Sequence, residues 1–178
     1  MNNLSKKLII GTAQFKIGYG ITNLNKKIGN NEVKKIFRLI NNNNIEYFDS
    51  APFYGNSEKV LGDYQNKKKI ITKIPMIKEK IITKKNIIKI RKVLFKSIKN
   101  LNIKNFYSIL LHSSTDLLKP GSNYLIDFLH VLKKDKITKK LGVSIYEKED
   151  FDKIEKKFQI DIIQLPINIL DRRLIKNN

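Results

Sequence analysis

Four side chains in this sequence are of types that can hand a proton along, and each falls at or just beyond an apolar run that reads as a strand: Asp49, Tyr54, Lys73 and His112. Asp49 closes the run Ile45-Glu46-Tyr47-Phe48, and Pro52 stops that strand from continuing. Tyr54 follows in the loop, with Gly55 allowing the chain to turn. An acid at a strand end and a phenol in the next loop can share one pocket rim. Lys73 ends Ile70-Ile71-Thr72-Lys73, and His112 ends Tyr107-Ser108-Ile109-Leu110-Leu111-His112. Singly, each has an ordinary structural explanation. Asp before Pro forms turns, a loop Tyr packs on a surface, Lys abounds here, and a His after an apolar strand is often only hydrogen-bonded. Their joint placement on different strand ends is what suggests a proton-relay site.

The elements that must position these residues alternate along the chain. Strands are expected at Leu8–Gln14, Ile45–Phe48, Lys69–Ile74, Asn105–His112, Lys140–Ile145 and from Ile160 to Gln164 or Leu165. Helices are expected at about Asn31–Ile40, Ser57–Tyr64, Lys85–Asn100, Asn123–Lys134 and Lys148–Phe158. The third of these carries a stripe of Ile87, Ile90, Leu94, Ile98 and Leu101; the fourth buries Leu125, Phe128, Leu129 and Leu132. His130 on the fourth is expected to be structural. Asn56 or Ser57 can cap the second helix, and Glu58 suits its positive end. Gly18-Tyr19-Gly20 lacks both the third glycine and the βαβ setting of a dinucleotide fingerprint, and reads as a loop. Strand–helix alternation with short joins indicates parallel α/β architecture. Runs such as Ser108-Ile109-Leu110-Leu111 suit strands buried on both faces. The fold class is therefore α/β, a partial TIM (β/α)8 barrel of about six parallel βα units, in which function sits at the C-terminal strand ends. An open doubly wound sheet is the alternative that periodicity leaves standing.

Composition narrows the function classes. At 178 residues the chain suits one domain, 1–178, with a sizeable core. Without cysteine there is no disulfide framework, and two histidines without nearby partners make a metal site improbable. The start resembles no secretory signal, and no apolar run nears the roughly 20 residues that span a bilayer. A cytoplasmic, non-membrane protein is expected. The formal charge of +20 suggests a polyanion partner. Yet the basic residues are nearly all Lys, scattered among many Ile and Asn, three residues with A/T-rich codons. A biased genome accounts for that pattern, and no specific nucleic-acid partner is expected.

The chain resembles the aldo-keto reductases. The matching segments are Leu8-Ile9-Ile10-Gly11-Thr12-Ala13-Gln14-Phe15, Phe48-Asp49-Ser50-Ala51 with Tyr54-Gly55-Asn56-Ser57-Glu58, and Leu61-Gly62. They continue with Ile71-Thr72-Lys73, Leu110-Leu111-His112, Leu141-Gly142-Val143-Ser144, and Ile163-Gln164 leading to Asp171-Arg172-Arg173. The resemblance implies NADPH-dependent reduction of an aldehyde or ketone, with a sugar-related compound one candidate substrate. It makes Tyr54 the general acid, eased by Lys73, which Asp49 pairs with, while His112 holds the substrate oxygen. It implies cofactor contacts from Gly11, Thr12 and Asp49, and from Ser144 and Gln164 to the carboxamide. The family often has Asn after that Ser; here Ile145 follows.

The resemblance also implies two further barrel units that this sequence lacks, with the segment that grips the adenosine 2′-phosphate. The first and sixth strands would then be open edges, prone to association unless covered. A complementing chain or a second copy is accordingly a candidate partner, and activity of this chain alone is expected to be weak. A non-catalytic remnant or interaction module of the same fold is the alternative, followed by a basic nucleic-acid-binding protein.

Overall fold

The computed structural model describes residues 7–15, 28–64 and 68–172, and of 148–150 the backbone only. Gly18-Tyr19-Gly20 and Arg173 lie outside these residues. The elements in order are β1 (Ile9–Gly11), α1 (Asn30–Asn42), β2 (Tyr47–Asp49), α2 (Ser57–Tyr64), β3 (Lys69–Ile74), α3 (Lys84–Leu101), β4 (Phe106–Leu111), α4 (Ser122–Lys134), β5 (Thr138–Ser144), α5 (Lys148–Ile154) and β6 (Ile162–Gln164). Short 3-10 turns occupy Ala13–Phe15 and Ser114–Leu118. The six strands are parallel and lie in one sheet in chain order, β1 to β6. A doubly wound sheet reverses its strand order at a switch point. This one does not, so it follows the first six units of a (β/α)8 barrel. Among the described residues no helix is long and apolar enough to cross a membrane.

Three helix ends share one geometry, and each launches a strand. After α1, Asn44 takes φ 53°, its N–H donates to Asn41 C=O (3.1 Å), and the Ile45 N–H reaches back to Ile40 C=O (3.0 Å). Asn102 (φ 51°) and Ile103 repeat this after α3, with Ile103 N–H to Ile98 C=O at 3.2 Å. Lys136 (φ 58°) and Ile137 repeat it after α4, with Ile137 N–H to Leu132 C=O at 2.9 Å. This paired bonding is the Schellman stop, which satisfies carbonyls a helix end would otherwise orphan. Asn tolerates a left-handed backbone; Lys does so at a cost.

Contacts group the chain into two compact units. One comprises the described residues up to Thr72 with Val93–Tyr107, the other Lys73–Lys92 with the described residues from Ser108 onward. The core of the first is built on Phe37, whose ring lies 5.8 Å from Phe15, 5.8 Å from Phe48 and 5.0 Å from Tyr64. One α1 side chain thus ties together β2, α2 and the turn after β1. Burying such rings contributes about 1.5–3 kcal/mol each. The anchoring of Phe15 also explains why β1 is shorter than the expected Leu8–Gln14. The Phe15 N–H donates to Thr12 C=O (3.0 Å), which turns the chain out of the sheet after Gly11.

Glu58 lies in the first turn of α2, as expected, and is buried against α3, with Asn100 Nδ2 donating to its Oε2 at 3.3 Å. Burial pushes its carboxyl above the usual range, against the pull of neighbouring polar and charged groups such as Asn100 and Lys96. Ser57 Oγ is buried without a hydrogen bond, so it is not the side-chain cap of α2. In the second unit, α4 buries Leu125, Phe128, Leu129 and Leu132, as its periodicity predicts. His130 is exposed and stacks on Phe158, with ring centroids 5.7 Å apart. Asp161 accepts from Leu141 N–H (2.8 Å) and from Lys133 Nζ (2.6 Å), joining the end of α4 to the start of the β5–β6 pair. Burial raises the Asp161 pKa, but the Lys133 ammonium and the Leu141 amide outweigh it and hold the group below its ordinary range.

Two outcomes follow. Lys136→Gly, exposed and at positive φ, raises stability by about 1 kcal/mol in urea unfolding, because only the side-chain penalty is removed. The raised Glu58 pKa means the folded state holds that proton more tightly than the unfolded chain. Stability from this group is therefore greatest at low pH and is lost as pH rises from about 4.5 through the folded value. Glu58→Gln flattens that slope; an unchanged urea-midpoint profile between pH 4.5 and 7 rules the account out.

Candidate active site

In the first unit, the parallel ladder places Gly11 beside Asp49 and Asp49 beside Ile71. Asp49 is the last residue of β2 and is half-buried. Its backbone carbonyl accepts the Thr12 N–H (3.0 Å) and lies 3.1 Å from Thr12 Oγ1, which is also 3.0 Å from Ser50 Oγ. Thr12 and Ser50 are both fully buried. These bonds fix the backbone at the strand end, and so the point from which the Asp49 carboxylate leaves the sheet. The Ser50 N–H then donates to Ile71 C=O (2.9 Å), holding the chain to β3 for one more step.

Tyr54 lies in the turn between β2 and α2. Its N–H donates to Ala51 C=O (3.1 Å), and its own carbonyl accepts the Ser57 N–H (3.1 Å). Gly55 takes φ 58°, which lets the chain fold back into α2. The Tyr54 ring is half-buried and meets Phe53 edge-on at 5.1 Å. Asp49 and Tyr54 are thus held in one connection.

Lys73 and His112 are held together in the second unit. Lys73, next to last in β3, is only 3 % exposed, so its ammonium is carried into the protein, where a charge must be compensated. His112 follows β4 directly and is half-buried, its backbone N–H donating to Ile74 C=O at 3.0 Å. Burial lowers the His112 pKa most, the Lys73 charge lowers it further, and the Asp116 carboxylate opposes both. At neutral pH the imidazole is therefore uncharged and can donate one N–H.

Ser144 and Gln164 are direct partners in the β5–β6 register, and Ile145 N–H donates to Gln164 C=O at 2.9 Å. Paired residues of a parallel ladder project to the same face. A hydroxyl and an amide side by side offer both donors and acceptors, the chemistry a carboxamide needs. Gly11 has nothing within 4 Å of the place a Cβ would take, leaving its backbone open to approach. The Thr12 side chain is committed to Asp49 and Ser50, so that residue offers its backbone more readily than its hydroxyl. Within the second unit, the Ser144–Gln164 pair thus has the chemistry that suits the carboxamide of a nicotinamide.

Sequence reasoning passed over Asp116 and Lys119. Asp116 is 1 % exposed and ion-paired with Lys119 at 2.7 Å. The available signal was an acid and a base three residues apart, enclosing two leucines, just beyond the candidate histidine.

Comparison with known proteins follows the same line. The Aldo/keto reductase family profile matches residues 7–178. No curated protein matches the chain. Among solved structures, a protein from Pseudomonas aeruginosa assigned as an aldo-keto reductase superposes with a TM-score of 0.72 at 21 % identity, covering 93 % of this chain and 64 % of that one. An aldo-keto reductase from Bacillus halodurans, in its holo form, gives 0.71 at 18 %, covering 93 % and 55 %. A glycerol dehydrogenase from Gluconobacter oxydans gives 0.66 at 21 %, covering 96 % and 54 %. At these identities the structures speak to fold alone, and this chain spans less than two thirds of each. The family profile reaches further, for it takes in every strand and each candidate residue: the chain belongs to the aldo/keto reductase family.

Proposed function

We propose that this polypeptide carries the catalytic region of a nicotinamide-dependent reductase acting on aldehyde or ketone groups. The observation that supports this best is that Asp49, Tyr54, Lys73 and His112 all fall at or just beyond the C-terminal ends of β2, β3 and β4, neighbours in the sheet of a family member. NADPH is the proposed cofactor, and when bound it supplies the hydride. Gly11, Asp49, Ser144 and Gln164, with the Thr12 backbone, are the proposed residues for holding it.

The protein's own task is the proton. As the carbonyl is reduced its oxygen gains negative charge, and a donor must be ready. The Tyr54 phenol, with an ordinary pKa of about 10, keeps its proton at neutral pH. A neighbouring ammonium lowers the cost of giving it up. That is the role proposed for Lys73, with Asp49 keeping Lys73 charged and oriented. His112, uncharged at neutral pH, donates a hydrogen bond to the substrate oxygen and stabilises the charge developing there. A histidine kept neutral does this without adding a second full positive charge beside Lys73.

Tyr54→Phe lowers carbonyl reduction by about 10²–10⁴-fold while the far-ultraviolet circular dichroism stays that of the parent. A rate that does not depend on Tyr54 overturns the assignment and favours a non-catalytic role for the fold. The depressed His112 pKa has a separate consequence. Its folded value lies below the unfolded 6.5, so its stability contribution is fully present above pH 6.5 and is lost as pH falls through the folded value. His112→Gln removes that part of the acid sensitivity, read from urea midpoints between pH 5 and 7.5.

A further inference from the structure

Within the second unit, the segment after β3 is stitched to the segment after β4 at three points. The first is His112 N–H to Ile74 C=O. The second is double and grips one residue from both sides. Asp116 Oδ2 accepts the Ile77 N–H at 3.0 Å, while Lys119 Nζ donates to Ile77 C=O and is itself 2.7 Å from Asp116 Oδ1. The third is Ile82 N–H to Pro120 C=O at 2.9 Å. It is sealed by Gly121, whose φ of 77° and closeness to Ile82 C=O leave no space for any side chain. Ile77 and Ile82 are buried, and the stretch between them is exposed from Lys78 to Ile81.

A buried carboxylate is costly in water-poor surroundings unless it is paired and hydrogen-bonded. Asp116 meets both conditions, and its charge lies close enough to bear on His112. The central member of the three-point stitch is a full ion pair set between backbone groups. We propose that Asp116, clamped by Lys119, is a positioning residue for His112: it locks the β3 loop to the β4 loop and sets the electrostatic surroundings in which the imidazole donates its hydrogen bond. The inference rests on the reductase reading for the purpose of His112, but not for the clamp itself. The charged groups bearing on His112 are Lys73 from β3 and Asp116 from the turn after β4, with opposite effects. Asp116 thus keeps the imidazole's proton affinity from falling as far as burial and Lys73 would take it.

The test is the titration of His112 in the full chain, followed by NMR in Asp116→Asn. Its midpoint moves further down, by about half a pH unit or more, because the one group that raised it is gone. A loop that had merely loosened would let water in and move the midpoint up towards 6.5, and that result overturns the proposal, as does no movement. Should Asp116→Asn not fold, Asp116→Asn with Lys119→Gln leaves no uncompensated charge, and a smaller downward shift is expected because the opposing Lys119 charge is removed with it. If neither folds, the pair is a folding element and the proposal fails. In a Tyr54-dependent reduction assay, Asp116→Asn lowers kcat about tenfold with the KM for NADPH unchanged. If the rate is indifferent to Tyr54, the reductase reading is at fault, while the titration still decides on the clamp.

Discussion

A chain that alternates helix and parallel strand can place a side chain at a strand end only if the preceding helix stops at the right residue. One residue too many would pass the error into the strand, and a one-residue slip turns every side chain to the opposite face. The Schellman stops at Asn44, Asn102 and Lys136 answer that constraint. Each reverses the chain with a left-handed residue, and each follows it with an isoleucine whose amide is bonded back into the helix. From Ile45 the chain runs four residues to Asp49, and from Ile103 nine to His112. The register of β1 with β2 and of β5 with β6 then sets Gly11 beside Asp49 and Ser144 beside Gln164. The chemistry at the strand ends is inherited from where the helices end.

Much of this was legible beforehand. The stripe on α3 and the apolar face of α4 announce themselves by period, because burial of one helix face leaves a 3.6-residue repeat. All six strands overlap their expected positions, β5 beginning two residues earlier, at Thr138. The stop at Asn44 could be read from its asparagine tract; the one at Lys136 could not, since Lys is a poor left-handed residue and its neighbours impose the conformation. The end of β1 was hidden for a related reason. What turns the chain at Thr12 is the ring of Phe15 seeking Phe37, a contact between distant residues that local pattern does not carry. The burial of Glu58 and Asp116 was not legible, because charge normally signals exposure. Both are buried beside partners far along the chain, Asn100 and Ile77.

The two shifted acids and bases of the interior act in opposite senses. Burial makes Glu58 reluctant to ionise and His112 reluctant to take a proton. Each prefers its uncharged form for the same dielectric reason, yet one favours the folded state in acid and the other at higher pH. Only the second sits at a strand end with a buried ammonium nearby. At His112 burial depresses proton affinity, which suits the hydrogen-bond donor proposed there, whereas at Glu58 it raises proton affinity as a by-product of packing α2 against α3.

Ile163 on the last strand is exposed, and beyond it Ile169 and Leu170 are 93 % and 96 % exposed. Such residues attract one another between molecules. The charge of +20 opposes this, since two copies repel before their apolar surfaces can meet. That repulsion reaches only about 10 Å at 0.1 M salt and about 3 Å at 1 M. Ionic strength therefore pulls in two directions. Salt loosens any adventitious hold of the lysines on a polyanion and, at the same time, unmasks the attraction between copies. The same charge that suggests a polyanion partner in the sequence also holds copies of the folded molecule apart at low salt.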